Sequence, residues 1–128
     1  MIWFVALGSA LGGAARYLLG GLVQQASRST FPTGTLAINV TGSFLLGLIY
    51  RYAADSAAIS PELRGMLAIG FCGGFTTFST FSYETVRLIE DGEFARASAY
   101  MLLSVVLSVG GAMLGLAAGR ELLLLRRH

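Results

Sequence analysis

The stretch GGFTTFSTFSY, from Gly73 to Tyr83, decides the fold because it interrupts an otherwise apolar span. Its two adjacent glycines each lower helix propensity by about 1 kcal/mol relative to alanine. Threonine and serine hydroxyls then alternate with phenylalanine rings, where a membrane anchor would carry aliphatic side chains. Inside a bilayer, non-helical backbone is tolerated only where it is buried in protein or lines a water-filled cavity. The stretch therefore predicts a segment that lines a path for a polar solute.

The composition of the whole chain is that of a membrane protein. Of its 128 residues, 55% are hydrophobic and 12% are charged, and the mean hydropathy is +0.69. A soluble domain carries about 25% charged residues, whereas an α-helix crosses ~30 Å of hydrocarbon with about 20 apolar residues. We place four such spans at Ile2–Gln24, Thr35–Ala53, Leu63–Leu88 and Ala97–Gly119. Residues 1–128 are thus predicted to form one all-α transmembrane domain, and Arg16 in span one argues against a cleaved signal peptide.

The arginines leave the orientation of the spans in the membrane open. Arg16 lies in the interior of span one, and the other eight arginines lie at the ends of the spans or just beyond them. The side of the two termini carries Arg51, Arg64, Arg120, Arg126 and Arg127, and the opposite side carries Arg28, Arg87 and Arg96. Five against three is a weak bias under the positive-inside rule. The chain therefore either inserts in both orientations, which requires such near-balance, or takes one orientation fixed by its C-terminal arginines.

Polar and small side chains form stripes on the predicted helices. At about 100° per residue, Tyr100, Ser104 and Ser108 share one face of span four. The stripe continues toward the C-terminus as a ladder of glycines, Gly111, Gly115 and Gly119. Span two has a similar stripe of Thr35, Asn39 and Ser43, with Gly42 beside them. On span one, a narrow face carries Ser9, Gly13, Arg16 and Gly20. A single serine or glycine is better explained by helix packing. Two matched stripes beside the hydroxyl-rich part of span three favour a path for a solute.

The groups inside the predicted spans favour a small anion as that solute. Apart from Glu84, near the end of span three, the spans contain no carboxylate, whereas cation channels and proton-coupled pumps usually carry Asp or Glu at depth. Hydroxyls and the Asn39 amide can donate hydrogen bonds, and Arg16 adds a fixed positive charge. Phe78 and Phe81 lie three residues apart, and a phenyl ring has a positive edge. The predicted path therefore combines neutral donors, ring edges and one cation.

Three blocks between Gly8 and Glu84 resemble motifs of the Fluc (CrcB) family of fluoride channels, and the resemblance covers nearly the full length of the chain. The blocks are GSALGGAARY (Gly8–Tyr17), PTGTLAINVTGSFLLG (Pro32–Gly47) and GGFTTFSTFSYE (Gly73–Glu84). The resemblance implies a fluoride-selective passive channel in the cell inner membrane that exports cytoplasmic fluoride and lowers its toxicity. It also implies an antiparallel, dual-topology homodimer in the lipid bilayer, with a broken third helix and two pores near the subunit interfaces.

The resemblance further implies which residues form the site. The pore residues are Asn39, Phe78, Phe81, Tyr100, Ser104 and Ser108, with Thr77, Ser79 and Thr80 as additional donors. A sodium ion on the dimer axis is expected to be held by the backbone carbonyls of Gly73 and Thr76, and hard cations prefer such oxygen ligands. Arg16 contributes to the field of the pore. Glu84 matches a carboxylate near one pore mouth, although a solvated interfacial glutamate would explain it equally well.

Other classes of protein fit only parts of the sequence. A small dual-topology, proton-coupled multidrug exporter would also have four short spans and balanced charge. Such transporters carry a glutamate in the first span, where this chain has Arg16 and no acidic residue. A scaffold subunit is supported only by the glycine ladders. An enzyme is not indicated, because the sequence shows no nucleophile–base pair, metal-ligand cluster or phosphate loop, and a net charge of +2 with scattered arginines does not support nucleic-acid binding.

Overall fold

The computed structural model describes residues 1–127, so that His128 lies outside the described part of the chain. The elements are α1 (Ile2–Ser27), α2 (Thr33–Ala54), α3 (Pro61–Arg64), a π-helical segment (Gly65–Cys72), α4 (Gly73–Phe75), α5 (Phe78–Glu90) and α6 (Phe94–Arg126). Residues 1–127 contain no β-strand, which confirms the predicted all-α class. Helices α1, α2 and α6 are each long and apolar enough to cross a membrane.

Local sequence signals fix several helix ends. The Ser60 hydroxyl accepts a hydrogen bond from the Leu63 N–H, and Pro61 occupies the first helical position of α3. Proline suits that position because its missing N–H would have no partner in the first turn. After α5, Gly92 adopts a φ of 74°, a conformation that glycine reaches without steric cost. Short polar connectors therefore separate the helical spans.

The third apolar stretch consists of two helical parts joined by extended backbone. Helical dihedrals continue through α3, the π-helical segment and α4, as at Gly65 (φ −61°, ψ −42°) and Gly73 (φ −64°, ψ −38°). Thr76 (φ −88°, ψ 158°) and Thr77 (φ −151°, ψ 120°) are extended. The Thr77 hydroxyl then caps α5 by accepting a hydrogen bond from the Thr80 N–H. We call Thr76–Thr77 the extended segment.

Glycines allow close contacts between the long helices. Helices α2 and α6 form the most extensive contact among residues 1–127. A Cβ added at Gly111 would approach the Val40 carbonyl oxygen to 3.0 Å, and one at Gly115 would overlap the Phe44 carbonyl. Gly111, Gly115 and Gly119 are all buried, so the packing role predicted for this ladder is confirmed.

Helix α1 packs through Gly20 of its predicted stripe and through two glycines outside that stripe, Gly8 and Gly12. A Cβ at Gly12 would overlap the Phe71 carbonyl in the π-helical segment, whereas one at Gly13 would meet nothing within 4 Å. Gly8 and Gly12, one turn apart, are the buried residues of α1. A Cβ at Gly34 would overlap the Gly20 carbonyl, and one at Gly20 would approach Ile38 Cδ1 to 2.6 Å. The stripe thus includes one glycine of the α1–α2 contact, whereas Gly8 and Gly12, which contact the π-helical segment, lie outside it.

Helix α6 extends beyond the predicted fourth span at both ends. It runs from Phe94 to Arg126, or 33 residues, which corresponds to about 50 Å at 1.5 Å per residue. Beyond Gly119 the sequence contains Arg, Glu and Leu, which all favour helix. At the opposite end of α6, Tyr100, Ala97 and Leu88 form a buried cluster against which Phe31 and Phe81 pack. This cluster joins α5, α6 and residues 28–32, which link α1 to α2 and which we call the α1–α2 connector.

Candidate functional site: a cavity beside the extended segment

Asn39 on α2 bonds the backbone of the extended segment in both directions. The Thr77 N–H donates to Asn39 Oδ1 at 2.8 Å, and Asn39 Nδ2 donates to the Thr77 carbonyl at 3.0 Å. In a continued α-helix, the Thr77 N–H would instead bond the carbonyl of Gly73. Asn39 therefore takes the place of a helical hydrogen bond. One N–H of its amide remains after this pair is formed.

Thr76 is also held by α2 and by the helix that precedes it. Its methyl group lies against Gly42, where an added Cβ would overlap Thr76 Cγ2 and approach Phe75 Cδ1 to 3.2 Å. Its hydroxyl donates to the Cys72 carbonyl at 2.9 Å. With its O–H donated in this way, Thr76 can meet a further ligand through the lone pairs of its hydroxyl oxygen or through its backbone carbonyl.

Arg16 on α1 contacts the same region from the other side. Its Nε donates to the Gly74 carbonyl at 3.2 Å. Arg16, Thr77, Thr80 and Glu84 line a cavity of about 240 Å³ between α1, α2 and α5. The half-buried guanidinium therefore lies beside the extended segment, although it is not among the residues that line the larger cavity described next.

A cavity of about 340 Å³, which we call the main cavity, lies between α2, the extended segment, the start of α5 and α6. It is lined by Asn39, Gly42, Ser43, Leu46, Thr76, Thr77, Phe78, Phe81, Ser104, Val105, Ser108 and Val109. Six of the nine pore residues predicted from the sequence thus line one space. The lining combines hydroxyl and amide groups from α2, the extended segment and α6 with aromatic and aliphatic side chains.

Ser104 is the buried polar group of this cavity. The residue is only 8% exposed, and its Oγ has no hydrogen-bond partner within residues 1–127. Leaving a buried hydroxyl unpaired costs about 1–3 kcal/mol, so such a group calls for a specific reason. A ligand that accepts a hydrogen bond inside the main cavity would supply one.

Four aromatic rings form a row that begins at the main cavity, and we call it the aromatic row. Successive ring centroids are 5.7 Å apart for Phe78–Phe81, 5.1 Å for Phe81–Tyr100 and 5.6 Å for Tyr100–Phe31. Tyr100 is fully buried, and its hydroxyl donates to Glu84 Oε1 at 3.2 Å. Tyr100 is absent from the main cavity lining, because Phe81 lies in front of it.

The remaining predicted donors surround Thr77. The Thr77 hydroxyl donates to Thr80 Oγ1 at 3.0 Å and lies 3.4 Å from Ser79 Oγ. Ser79 is exposed, and Thr80 lines the cavity that contains Arg16. Glu84 lines that cavity too, and it also lines a third one of about 430 Å³ near the α1–α2 connector. The predicted pore residues thus line the main cavity, the cavity that contains Arg16 or, for Thr77, both, whereas Ser79 and Tyr100 line neither.

Sequence reasoning missed the apolar wall of the main cavity and the α1–α2 connector. Val105 and Val109 follow the two serines of α6 by one position, so they could have been expected at the edge of that face. Phe31 contacts Tyr100 across 69 residues of sequence, and no local pattern predicts such a contact. Gln24, a carboxamide near the end of α1, could have indicated that the connector is hydrogen-bonded to this helix.

Metal ligation by side chains finds no support in residues 1–127, which hold no group of three His, Cys, Asp or Glu residues placed around a common point. Backbone oxygens are a different matter, because the Thr77 N–H bonds Asn39 and so leaves the Gly73 carbonyl without its usual helical donor. Gly73 is exposed, and a Cβ at this position would meet nothing within 4 Å. The donor chemistry therefore fits a hard cation such as sodium.

Apolar helices and a partly polar cavity beside non-helical backbone define this chain as a multi-pass membrane protein. Residues 3–116 match the family described as CrcB-like protein, Camphor Resistance (CrcB), and the chain belongs to this family. The family resemblance predicted from the three sequence blocks is thereby confirmed.

Relatives from several bacteria carry the name fluoride-specific ion channel FluC. The chain is 53% identical to the protein of that name from Geobacter sulfurreducens, over 92% of this chain and 95% of the relative. It is 51% identical to the one from Geobacter metallireducens, again over 92% and 95%. A more distant relative, from Aquifex aeolicus, is 41% identical over 95% of this chain and 98% of its own length.

Proposed function

We propose that this chain is a fluoride-selective passive channel, and that fluoride passes through the main cavity. The observation that carries the proposal is the Ser104 hydroxyl, buried without a protein partner in a cavity that is also lined by Asn39, Phe78 and Phe81. An anion accepts hydrogen bonds and therefore pairs with this hydroxyl. The names of the relatives, fluoride-specific ion channel FluC, support the choice of anion.

Selectivity for fluoride follows from the kind of donors that the cavity offers. Fluoride is small and strongly hydrated, so it enters only where close donors replace its water. Hydroxyls and one amide N–H donate without a full opposite charge, and conduction requires binding weak enough for the ion to leave. The edges of Phe78 and Phe81 add a weak positive potential. Chloride is larger and gains less from a narrow set of donors.

Transport needs no energy source within the protein. In the cell inner membrane, the membrane potential supplies about 2.3 kcal/mol per elementary charge for each 100 mV. A passive pore lets this potential drive fluoride out of the cytoplasm, which lowers its toxicity. The predicted alternative, a proton-coupled exporter, lacks an observation in its favour, since the membrane-embedded acid that it requires has no counterpart in α1.

The channel is proposed to be an antiparallel dual-topology homodimer whose third transmembrane helix is broken. The extended dihedrals of Thr76 and Thr77 support the break, and the near-balance of arginines supports insertion in both orientations. Phe78 lines the main cavity, yet its side chain is 79% exposed in a single chain. A second subunit laid against this side would cover Phe78 and complete the wall of the pore.

Sodium is proposed to bind the carbonyls of Gly73 and Thr76 at the dimer axis. The freed Gly73 carbonyl supports this, and so do the exposure of Gly73 and the extended backbone of Thr76, which does not continue the helix. When bound, the ion supplies positive charge that joins two subunits at their non-helical segments. In membrane transporters, the backbone carbonyls of unwound helices coordinate sodium in the same way.

The proposed function is tested by anion efflux from liposomes that contain the purified protein. We expect fluoride to leave far faster than chloride, and empty liposomes provide the background. Phe81→Ile should slow fluoride efflux while the protein still elutes as the same oligomer, because this ring lines the main cavity. Equal rates for the two anions through the unmodified protein would rule out the function. Wild-type efflux in Phe81→Ile would remove that ring from the pore.

A further inference from the structure

The α1–α2 connector contacts the end of the aromatic row that lies farthest from the main cavity. The Phe31 ring meets the Tyr100 ring edge to face, with centroids 5.6 Å apart and an interplanar angle of 81°. Tyr100 in turn lies 5.1 Å from Phe81, which lines the cavity. Phe31 therefore reaches the cavity wall through one intervening, fully buried side chain.

Hydrogen bonds from α1 hold the backbone of Phe31 in place. Gln24 Nε2 donates to the carbonyls of Ser29 and Phe31, both at 2.9 Å. Gln24 Oε1 accepts from the Gly34 N–H at 2.9 Å, at the start of α2. The Phe31 N–H donates to Ser29 Oγ at 3.0 Å. A single carboxamide thus fixes both sides of the connector relative to α1.

A contact from α6 fixes the ring of Phe31. The Arg96 guanidinium carbon lies 5.8 Å from the centre of this ring, within the range of a cation–π interaction. Arg96 also donates to Thr30 Oγ1 at 2.8 Å and lies 3.5 Å from Glu93. The connector is therefore tied to α1 through Gln24 and to α6 through Arg96, with the Phe31 ring directed at Tyr100.

We propose that Phe31 is a positioning residue of the channel, which fixes the Tyr100 ring and thereby the Phe81 ring at the cavity wall. The inference rests on the proposed function. Protein interiors are packed closely enough that a missing ring leaves its neighbours room to shift. Without Phe31, Tyr100 can move toward the connector, and Phe81 loses its support on the side away from the cavity. The connector then controls the width of the pore without touching the ion.

Three variants separate this role from general packing. Phe31→Ala should slow fluoride efflux about 2- to 13-fold, the range expected for loss of one aromatic pair. Phe31→Tyr keeps the ring and should conduct like the unmodified protein. Phe94→Ala is the control, because Phe94 lies at the same end of the molecule but is 64% exposed. Wild-type efflux in Phe31→Ala, or equal slowing by Phe94→Ala, would overturn the proposal.

A double-mutant cycle with Tyr100→Leu tests whether Phe31 acts through Tyr100. The proposal expects Phe31→Ala to cause no further slowing in the Tyr100→Leu protein, since coupled residues are not additive. Additive slowing, or a lower unfolding temperature with unchanged efflux, would reduce Phe31 to a purely structural role. If Tyr100→Leu conducts too slowly for this comparison, Phe31→Leu and Phe31→Tyr are compared instead. Fluoride efflux should be slower in Phe31→Leu, which lacks the ring, than in Phe31→Tyr. Equal efflux rates in these two variants would overturn the proposal. Absence of selective efflux in the unmodified protein would instead count against the proposed function.

Discussion

The hydrogen-bond pair between Asn39 and Thr77 makes Asn39→Ala the most direct test of how the extended segment is held. The substitution removes the acceptor of the Thr77 N–H at 2.8 Å and the donor to its carbonyl at 3.0 Å. Two bonds of about 0.5–1.5 kcal/mol amount to about 1–3 kcal/mol where water replaces them. If both groups stayed buried and unpaired, the cost would rise to about 2–6 kcal/mol. We expect the lower range, since Thr77 is half-buried and lines the main cavity.

Ser43→Ala is the matched control for this substitution. Ser43 lies one turn further along α2 and lines the same cavity, but it is not a partner of Thr77. Thermal unfolding of the protein in detergent reports stability, and fluoride efflux from liposomes reports the pore. A loss of about 1–3 kcal/mol changes the population of the bonded arrangement by about 5- to 150-fold. We therefore expect Asn39→Ala to lower both quantities, with Ser43→Ala close to wild type in stability. An Asn39→Ala protein as stable as Ser43→Ala would refute this explanation of the extended segment.

Three further predictions test other parts of the structure. Ser104→Ala should keep or raise thermal stability, because the buried Ser104 Oγ lacks a partner within residues 1–127. The same variant should slow fluoride efflux. A clear loss of stability would mean that the hydroxyl bonds to protein. Gly115→Ala should destabilise by at least about 1–3 kcal/mol, because its Cβ overlaps the Phe44 carbonyl. Gly110→Ala is the control, because a Cβ at Gly110 would meet nothing within 4 Å. This variant should be neutral or stabilising by up to about 1 kcal/mol. Similar unfolding temperatures for Gly115→Ala and Gly110→Ala would contradict the packing role of Gly115. Sodium should raise the unfolding temperature more than choline at equal ionic strength, because an ion that binds only the folded protein stabilises it; equal curves would argue against the sodium site.

The fourth span shows how far periodicity alone can predict this fold. Tyr100 and Ser104 are buried and Ser108 is half-buried, and the glycines that continue the stripe are buried against α2. The face was predictable because helical spacing places these residues together whatever the partner helix is. The element that packs against this face was not predictable. For that reason the sequence did not indicate that Tyr100 lies behind Phe81 rather than among the residues that line the cavity. Its neighbour Phe31 comes from a connector without a helical repeat.

Asn39 shows a different limit of sequence reasoning. Its place in a polar stripe predicts that the amide faces a pore, and Asn39 does line the main cavity. The same amide also bonds the backbone of Thr77, which no side-chain pattern could indicate, since backbone groups are identical at every position. Arg16 follows the same rule: its charge was visible, but its acceptor is the carbonyl of Gly74. Side-chain-to-backbone contacts are thus the part of this site that required coordinates.

The extended segment is stable because other helices supply its missing hydrogen bonds. Within the third span, an interruption frees a carbonyl and an N–H, and each such group is costly in hydrocarbon unless it finds a partner. Helix α2 provides Asn39 for both groups of Thr77, and α1 provides Arg16 for the Gly74 carbonyl. Glycines and hydroxyls in the span permit the extended conformation, but they do not by themselves satisfy its backbone. The position of the interruption is therefore determined by α1 and α2 as much as by the GGFTTFSTFSY sequence itself, and a substitution at Asn39 or Arg16 should disturb it although neither residue belongs to the third span.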